Sequence, residues 1–568
     1  MQHGISANHA PMLNAYPDSM GGTIADIIEV LQRPEFQNTF GSFYILPSLF
    51  NSDLDRGFSV INYELNEQLA ARAELEALQK LGLDLKLDFI LNHASVLSEQ
   101  FQDLVAKGEE SRYKDFFINW NTFWAGRGQM TPDGYLQPEE ELIQQMFFRK
   151  PGLPILMVRF PDGRDVPYWN TFYQDIKYPV VDAQDLMKLA GIQYYAADQI
   201  ASIVNTAVAG GTRPKDIEFG TYAVYKAAVV NYMEASKKYL GQMDLNIKSP
   251  LVWEFYDGVL KQLSGYGATI VRLDAFAYAP KEPGERNFLN EPGTWEVLEK
   301  VRQLADRYNL SLLPEIHASY SAKNYEAIAA KGYMTYDFFL PGLMIDALEN
   351  ADGTTLKAWA DEVTAKGIQT VNMLGCHDGI PLLDLKGLIP EERIQQLINT
   401  VVARGGMVKD LHGQQQVYYQ VNSTYYSALG EDDKKLLMAR AIQLFMPGKP
   451  QIWYLDLFAG KNDYEAVERA GAGGHKEINR TNLSKEQIDH ALTTAVVQKQ
   501  LEMLRFRSSF PAFASDAEIG IEADGHRMRF TWEKNGYVAT LHADLKVMTY
   551  ELEGIRRGGN EDEKIRIS

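Results

Sequence analysis

The feature that most limits how this chain can fold is a repeated alternation of a short apolar run with a stretch of helical spacing. Runs at 12–16, 43–47, 87–91, 269–273, 312–315, 334–337, 370–374 and 451–454 read as strands. Strand and helix in alternation predict parallel βαβ units, and eight of them predict a closed (β/α)8 TIM barrel of the α/β class. Polar residues follow the C-terminal ends of these runs: Asp18, Asn92 with His93, Asp274, Glu315, and His377 with Asp378. In such a barrel the chemistry sits on that rim, so strand position separates these few from the chain's 75 acidic residues.

At 568 residues the chain exceeds one ordinary compact domain. The predicted division is a catalytic barrel with inserts over 1–505 and a small antiparallel C-terminal β domain over 506–568. Between the third and fourth runs lies far more chain than one crossover needs, which predicts an insert over about 94–245. Its part 173–240 reads as helical. Asp182 caps a segment running through Leu186, Leu189, Ile192 and Ile200 to Gly210-Gly211, and a second helix is expected over 217–239. Another insert follows the seventh run, at about 379–430. Past Arg505 the period changes to two, with strands at 527–532 and 537–542 joined through Asn535-Gly536, a strong hairpin signal. The charged end, 556–568, is expected to fray.

A formal charge of −19 repels polyanions, so neither nucleic acid nor an anionic membrane is an expected partner. An anionic substrate would need a local basic site against that field. Cys376 is the only cysteine, which excludes an intrachain disulfide and suits a reducing compartment; a buried apolar role is expected for it. Residues 1–16 lack a basic stretch followed by an apolar run, and nothing later reads as a membrane span, so the expected location is cytoplasmic.

In Val271-Arg272-Leu273-Asp274-Ala275 the strand period puts Arg272 and Asp274 on one face. The guanidinium favours the ionised carboxylate that a nucleophile needs, although a purely structural pair has the same pattern. Glu315 ends Leu312-Leu313-Pro314-Glu315-Ile316-His317, where partial desolvation raises a carboxyl pKa and suits proton donation. Gly375-Cys376-His377-Asp378-Gly379 adds a third carboxylate beside a histidine, and Asp88-Phe89-Ile90-Leu91-Asn92-His93 adds a second histidine. Their spacing matches no metal-ligand pattern, so neither a metal nor another cofactor is expected.

Taken in order, Asn92-His93, Arg272-Leu273-Asp274, Glu315 and His377-Asp378 resemble the four signature regions of glycoside hydrolase family 13, the α-amylase family. The resemblance implies that Asp274 is the nucleophile, Glu315 the general acid/base and Asp378 the carboxylate holding sugar hydroxyls. His93, Arg272 and His377 would complete a glucose subsite. Asp55-Arg56-Gly57-Phe58, Lys281-Glu282-Pro283-Gly284, Gln420-Val421-Asn422-Ser423-Thr424 and Ile478-Asn479-Arg480 are similar to the sucrose phosphorylase branch of that family, over about 14–505 apart from the helical insert. By that likeness Asp55 and Arg480 both bond the glucose 4-hydroxyl and close the site behind one terminal glucose. Phe58, Tyr278 and Gln420 would lie at the sugar. Phe147-Phe148-Arg149-Lys150-Pro151-Gly152 resembles a loop giving cationic contacts to phosphate, so Phe147, Arg149, Lys150 and Tyr419 would face phosphate or acceptor.

The implied activity is that of a retaining α-glucoside phosphorylase, a hexosyltransferase releasing α-glucose 1-phosphate from sucrose or a related donor. Its two reacting carboxyls would stand roughly 5–5.5 Å apart. The implied partners are a sugar donor and inorganic phosphate, with a homodimer possible. Val417 stands where sucrose phosphorylases usually carry an aspartate, and Tyr419 where sucrose 6-phosphate enzymes tend to carry a histidine. Glucosylglycerol, glucosylglycerate and sucrose 6-phosphate phosphorylases therefore stay open. So do a hydrolase or glucosyl transferase on sucrose-like donors and, more distantly, a catalytically silent sugar-binding barrel. The helical insert would shape the acceptor pocket or build an oligomer interface.

Overall fold

The computed structural model describes residues 9–149, 152–410, 418–471, 474–557 and 563–567. Eight parallel strands share one sheet: β1 (Met12–Ala15), β2 (Ser42–Ile45), β3 (Asp84–Ile90), β4 (Ala268–Asp274), β5 (Ser311–Pro314), β6 (Thr335–Asp337), β7 (Thr370–Met373) and β8 (Lys449–Trp453). Their order is β5-β4-β3-β2-β1-β8-β7-β6, so the sheet curls back on itself and β8 pairs with β1, Met12 opposite Gln451. This is the expected (β/α)8 barrel, and all eight strands overlap the apolar runs. The helices between strands follow local rules. Thr23 caps Ile24–Leu31 by accepting from the Asp26 amide, and Ile24, Ile27, Ile28 and Val30 form its buried stripe.

The barrel interior is more polar than the usual filling of branched aliphatic side chains. Tyr44, Lys86, Asp88, Arg272, Tyr336 and Gln451 are all buried. Lys86 donates to the Tyr336 hydroxyl and to Gln451 Oε1 (2.7 Å), and lies 3.9 Å from the Tyr44 ring centre. The Tyr44 hydroxyl donates to Asp88 Oδ2 at 2.8 Å, and Asp88 in turn receives Arg272. A bonded polar column thus rises through the barrel towards its C-terminal rim, and such a network favours one arrangement over others.

The helical insert differs in detail from expectation. Asp182 does cap a helix, Ala183–Ala190, through the Asp185 amide. Gly191 then takes a left-handed conformation and ends it, so Ile192 and Ile200 do not continue one segment; a second helix, Tyr194–Ala209, ends at Gly210. The helix expected over 217–239 is a 3-10 turn (Gly220–Tyr225) leading into Lys226–Ser236, followed by a strand, Lys238–Asp244. Lys237 turns extended, and the strand is claimed by antiparallel pairing to Gln174–Lys177 and to His93–Ser95. Tertiary pairing overrides helical periodicity there. The insert's helices bury a cluster of their own around Leu186, Ile200, Val204, Phe219 and Met233.

At the C-terminus β9 (Glu518–Asp524), β10 (Arg527–Lys534), β11 (Tyr537–Asp544), β12 (Thr549–Arg556) and β13 (Glu563–Ile567) form an antiparallel sheet in sequence order. Asn535 and Gly536 both have positive φ, as the predicted hairpin turn requires. The expected fraying does not extend to the last strand. Residues 563–567 pair with β12, placing Ile567 opposite Leu552 and burying it. Trp532 donates to the Phe445 carbonyl (2.8 Å), fixing this sheet to the helix Asp433–Phe445. Among the described residues no helix is long and apolar enough to cross a membrane.

Candidate active site

β4 and β5 run to Asp274 and to the residue before Glu315, and the loop after β7 carries His377 and Asp378. Strand periodicity sends Arg272 to the same face as Asp274, where its guanidinium collects three carboxylates. Nη1 lies 2.6 Å from Asp88 and 2.8 Å from Asp274, and Nη2 lies 3.0 Å from Glu315. The two expected reacting carboxylates therefore meet the two ends of one buried arginine. Glu315 and Asp378 also line a shared pocket with Tyr44, Arg272, His317 and His377.

The electrostatics correct the simple expectation. Burial and the neighbouring Glu315 charge push the Asp274 pKa upward against the pull of Arg272. Burial also opposes ionisation of Glu315, but Arg272 and a contact from His317 outweigh it and hold this carboxyl below the usual range. The sequence suggested the reverse order, an ionised Asp274 and a raised Glu315. The second guanidinium nitrogen and His317 both reach Glu315, a three-dimensional arrangement that strand position does not reveal.

Asp378 is bound from three sides. His377 Nε2 lies 3.2 Å from Oδ2, while Lys476 Nζ (2.9 Å) and Arg480 Nη2 (3.7 Å) approach Oδ1. Burial would raise its pKa, yet His377, Lys476 and Arg480 together hold it well below the usual value. Asp55 completes the closed end, with Arg480 Nη1 at 3.6 Å and Lys476 Nζ at 3.7 Å. Asp55 and Arg56 both have positive φ. Gly57 follows at φ 114°, where a Cβ would lie 2.1 Å from the Ser48 backbone nitrogen, so only glycine lets this turn fold against the strand-end loop. The next residue, Phe58, stacks on His377 at 5.0 Å, and its carbonyl meets His93 Nε2 at 3.0 Å.

A second cationic point stands near Tyr278. Arg149 Nη1 donates to the Tyr278 hydroxyl (3.1 Å), and its guanidinium lies 5.0 Å from the Phe172 ring centre. Phe172 also contacts His93 at 4.9 Å, so an aromatic row joins Arg149 to the histidine. Phe147 is partly exposed, and its backbone is clamped by Asn287. Gln420 is buried on the strand Tyr418–Asn422. Lys150, Val417 and the Tyr419 side chain lie outside the described residues.

Several contributors escape a reading of the sequence. Lys476 carries no strand-end signal, although it lies on the short 3-10 turn Gly474–Asn479 that directly precedes Arg480. Phe172 sits at the edge of the unfamiliar insert. Lys281 lies in a recognised segment but shows its role only in three dimensions: it is buried and pairs with Asp244 at 2.7 Å. Among the described residues one set, Glu315, His317 and Asp378, offers metal-ligand atoms within 4.8 Å of one another. Arg272 and Lys476 already neutralise those carboxylates and would compete with an ion.

No family model matches the chain. It is 48% identical over 556 residues to the sucrose 6(F)-phosphate phosphorylase of Ilumatobacter coccineus, covering 96% of both chains. It is 30% identical over 550 residues to the sucrose phosphorylase of Streptococcus mutans, covering 95% and 96% respectively. The crystal structure of sucrose 6F-phosphate phosphorylase from Thermoanaerobacter thermosaccharolyticum superposes with a TM-score of 0.80 at 31% identity, covering 99% of both chains.

Proposed function

The chain belongs to the sucrose phosphorylase branch of glycoside hydrolase family 13, and from that premise we propose that it passes a glucosyl group from a sucrose-type donor to inorganic phosphate with retention. The observation that carries this reading is the Arg272-centred pair of carboxylates beside a closed end built from Asp55, Asp378, Lys476 and Arg480. Asp274 attacks the anomeric carbon while Glu315 protonates the leaving oxygen, giving a β-glucosyl ester. Phosphate, deprotonated by Glu315, then attacks the same face and releases α-glucose 1-phosphate. Asp55 and Arg480 bond the sugar's 4-hydroxyl, leaving no room for a longer chain. Water competes in the second step, so phosphate must win by positioned charge.

Arg149 supplies that charge in this reading, together with Lys150. Arg149→Ala is expected to raise the KM for phosphate by about 10- to 100-fold, the worth of one charge-assisted hydrogen bond, and to increase the hydrolysed share of donor. Phosphate-dependent steady-state kinetics with glucose and glucose 1-phosphate counted separately would show it.

For the leaving group we favour a fructosyl unit phosphorylated at its 6-hydroxyl, ahead of free fructose. The support is the likeness to two proteins named for that donor, at 48% and 32% identity. The expectation from Tyr419 points the other way, and that side chain lies outside the described residues. Offered α-glucose 1-phosphate with fructose, fructose 6-phosphate, glycerol or glycerate, the protein should release phosphate fastest with fructose 6-phosphate. Fastest release with fructose would restore sucrose, and release with none would sink the phosphorylase reading. A cytoplasmic location fits the lone buried thiol of Cys376. That location, the division at 505/506 and a homodimer are further parts of this reading; sedimentation velocity would test the last.

A further inference from the structure

Glu315 must carry a proton to release a leaving group, yet two basic side chains reach it and favour its carboxylate form. One is Arg272, at 3.0 Å. The other is His317, whose Nε2 lies 3.3 Å from Glu315 Oε1. The opposite ring nitrogen, Nδ1, lies 3.1 Å from Asp384 Oδ2, on the short turn Leu383–Leu385 after β7. Phe338, following β6, stacks on the imidazole at 3.8 Å. The ring is thus fixed on one face and bonded at both edges by carboxylates, an arrangement that calls for a proton on each nitrogen.

We propose, on the reading of Glu315 as the acid/base, that Asp384 and His317 form a relay that loads Glu315 with its proton when a sugar fills the site. The Nε2–H bond of His317 breaks and an O–H bond forms at Glu315 Oε1. His317 is left neutral, its Nδ1–H still donated to Asp384. Three charges, those of Asp384, His317 and Glu315, become one. Expelling water favours that change, because separated charges lose their solvation while the neutral pair keeps its hydrogen bond. Glu315 then gives the proton to the leaving oxygen and regains one from phosphate in the second displacement, so no net proton is consumed. His317 and Asp384 act through Glu315 and are positioning residues.

The groups around His317 agree. Burial disfavours the imidazolium, but Asp384 and Glu315 outweigh it and push the His317 pKa up to about 10. Arg272 and Asp378 act at one remove, through Glu315, and Phe338 is apolar. The proton shared by His317 and Glu315 is therefore present below that pH and lost as pH rises through it. Without His317 the proton rests on Glu315 alone, and the basic limb of activity moves to lower pH.

The test compares His317→Gln and Asp384→Asn with the parent, using the glycoside donor and α-glucosyl fluoride, whose leaving group needs no protonation. His317→Gln should lose about 100-fold or more in kcat on the glycoside, the typical worth of a general acid. On the fluoride it should lose several-fold at most, and its basic limb should shift down by about 2 pH units or more. Asp384→Asn, a change of nearly equal size and shape, should move both readouts in the same direction by less. Equal losses on the two donors, or an unmoved limb with only KM raised, would overturn the relay. Failure of the unsubstituted protein to transfer glucosyl from the fluoride to phosphate would instead overturn the reading on which the relay rests.

Discussion

Asp274→Ala is expected to lower kcat by at least about 10⁴-fold, close to 5.5 kcal/mol of transition-state stabilisation, while leaving the fold intact. The double displacement has no second route to a covalent intermediate, so losing the attacking oxygen removes the first step. The fold should survive because Arg272 keeps Asp88 at 2.6 Å and Glu315 at 3.0 Å after Asp274 is gone. Circular dichroism and the thermal midpoint would check that. Azide, small enough for the vacated space, should attack from the same side and give β-glucosyl azide, the inverted product, detectable by NMR. Undiminished phosphorolysis by Asp274→Ala would remove Asp274 from the role of nucleophile.

The second large effect concerns stability. Lys281→Met is expected to lower the free energy of unfolding by about 3–5 kcal/mol. Lys281 Nζ reaches Asp244 Oδ2 (2.7 Å), Asn92 Oδ1 (3.0 Å) and the Tyr278 carbonyl (2.6 Å), all within the protein. Asp244 is fully buried and also accepts from Asn92 and from the amide and hydroxyl of Thr171. Removing the ammonium leaves that carboxylate charged, desolvated and without a counter-ion. Most of the effect should be recovered by the double change Lys281→Met with Asp244→Asn, which removes the stranded charge and keeps its shape. Urea-unfolding midpoints for the two variants would decide; a loss below about 1 kcal/mol in the single variant would show that the pair is not the anchor.

The barrel was legible because its signal is local: eight apolar runs, each ending in polar residues, need no knowledge of what packs against them. The same holds for Asp274, Glu315 and Asp378, which strand ends bring to one rim, and for the Asn535-Gly536 hairpin. The electrostatic order of the carboxylates was not legible. It depends on His317 turning back to Glu315 and on Arg272 having two ends, and neither follows from spacing. Lys476 and Asp244 were hidden for a related reason. Each lies far in sequence from its partner, Lys476 from Asp55 and Asp244 from Asn92, so chain closure rather than periodicity makes the contact. The start of the strand Lys238–Asp244 reads as the end of a helix over 217–239 until a partner strand claims it.

That strand has a practical consequence. The helical insert leaves the molecule through Gln174–Lys177 and returns through Lys238–Gly241, two antiparallel segments in register, Lys177 opposite Lys238. To the ladder below, everything from 178 to 237 is the loop of an oversized hairpin, and its apolar interior is self-contained. Closing a loop becomes harder by only about 0.6 kcal/mol for each doubling of its length. The stalk is therefore the expected graft point: a short turn or an unrelated module spliced between Lys177 and Lys238 would forfeit the ion pairs of Lys215 with Asp133, Glu234 with Arg159 and Lys237 with Asp165, while the last residue of the returning strand, Asp244, stays opposite His93.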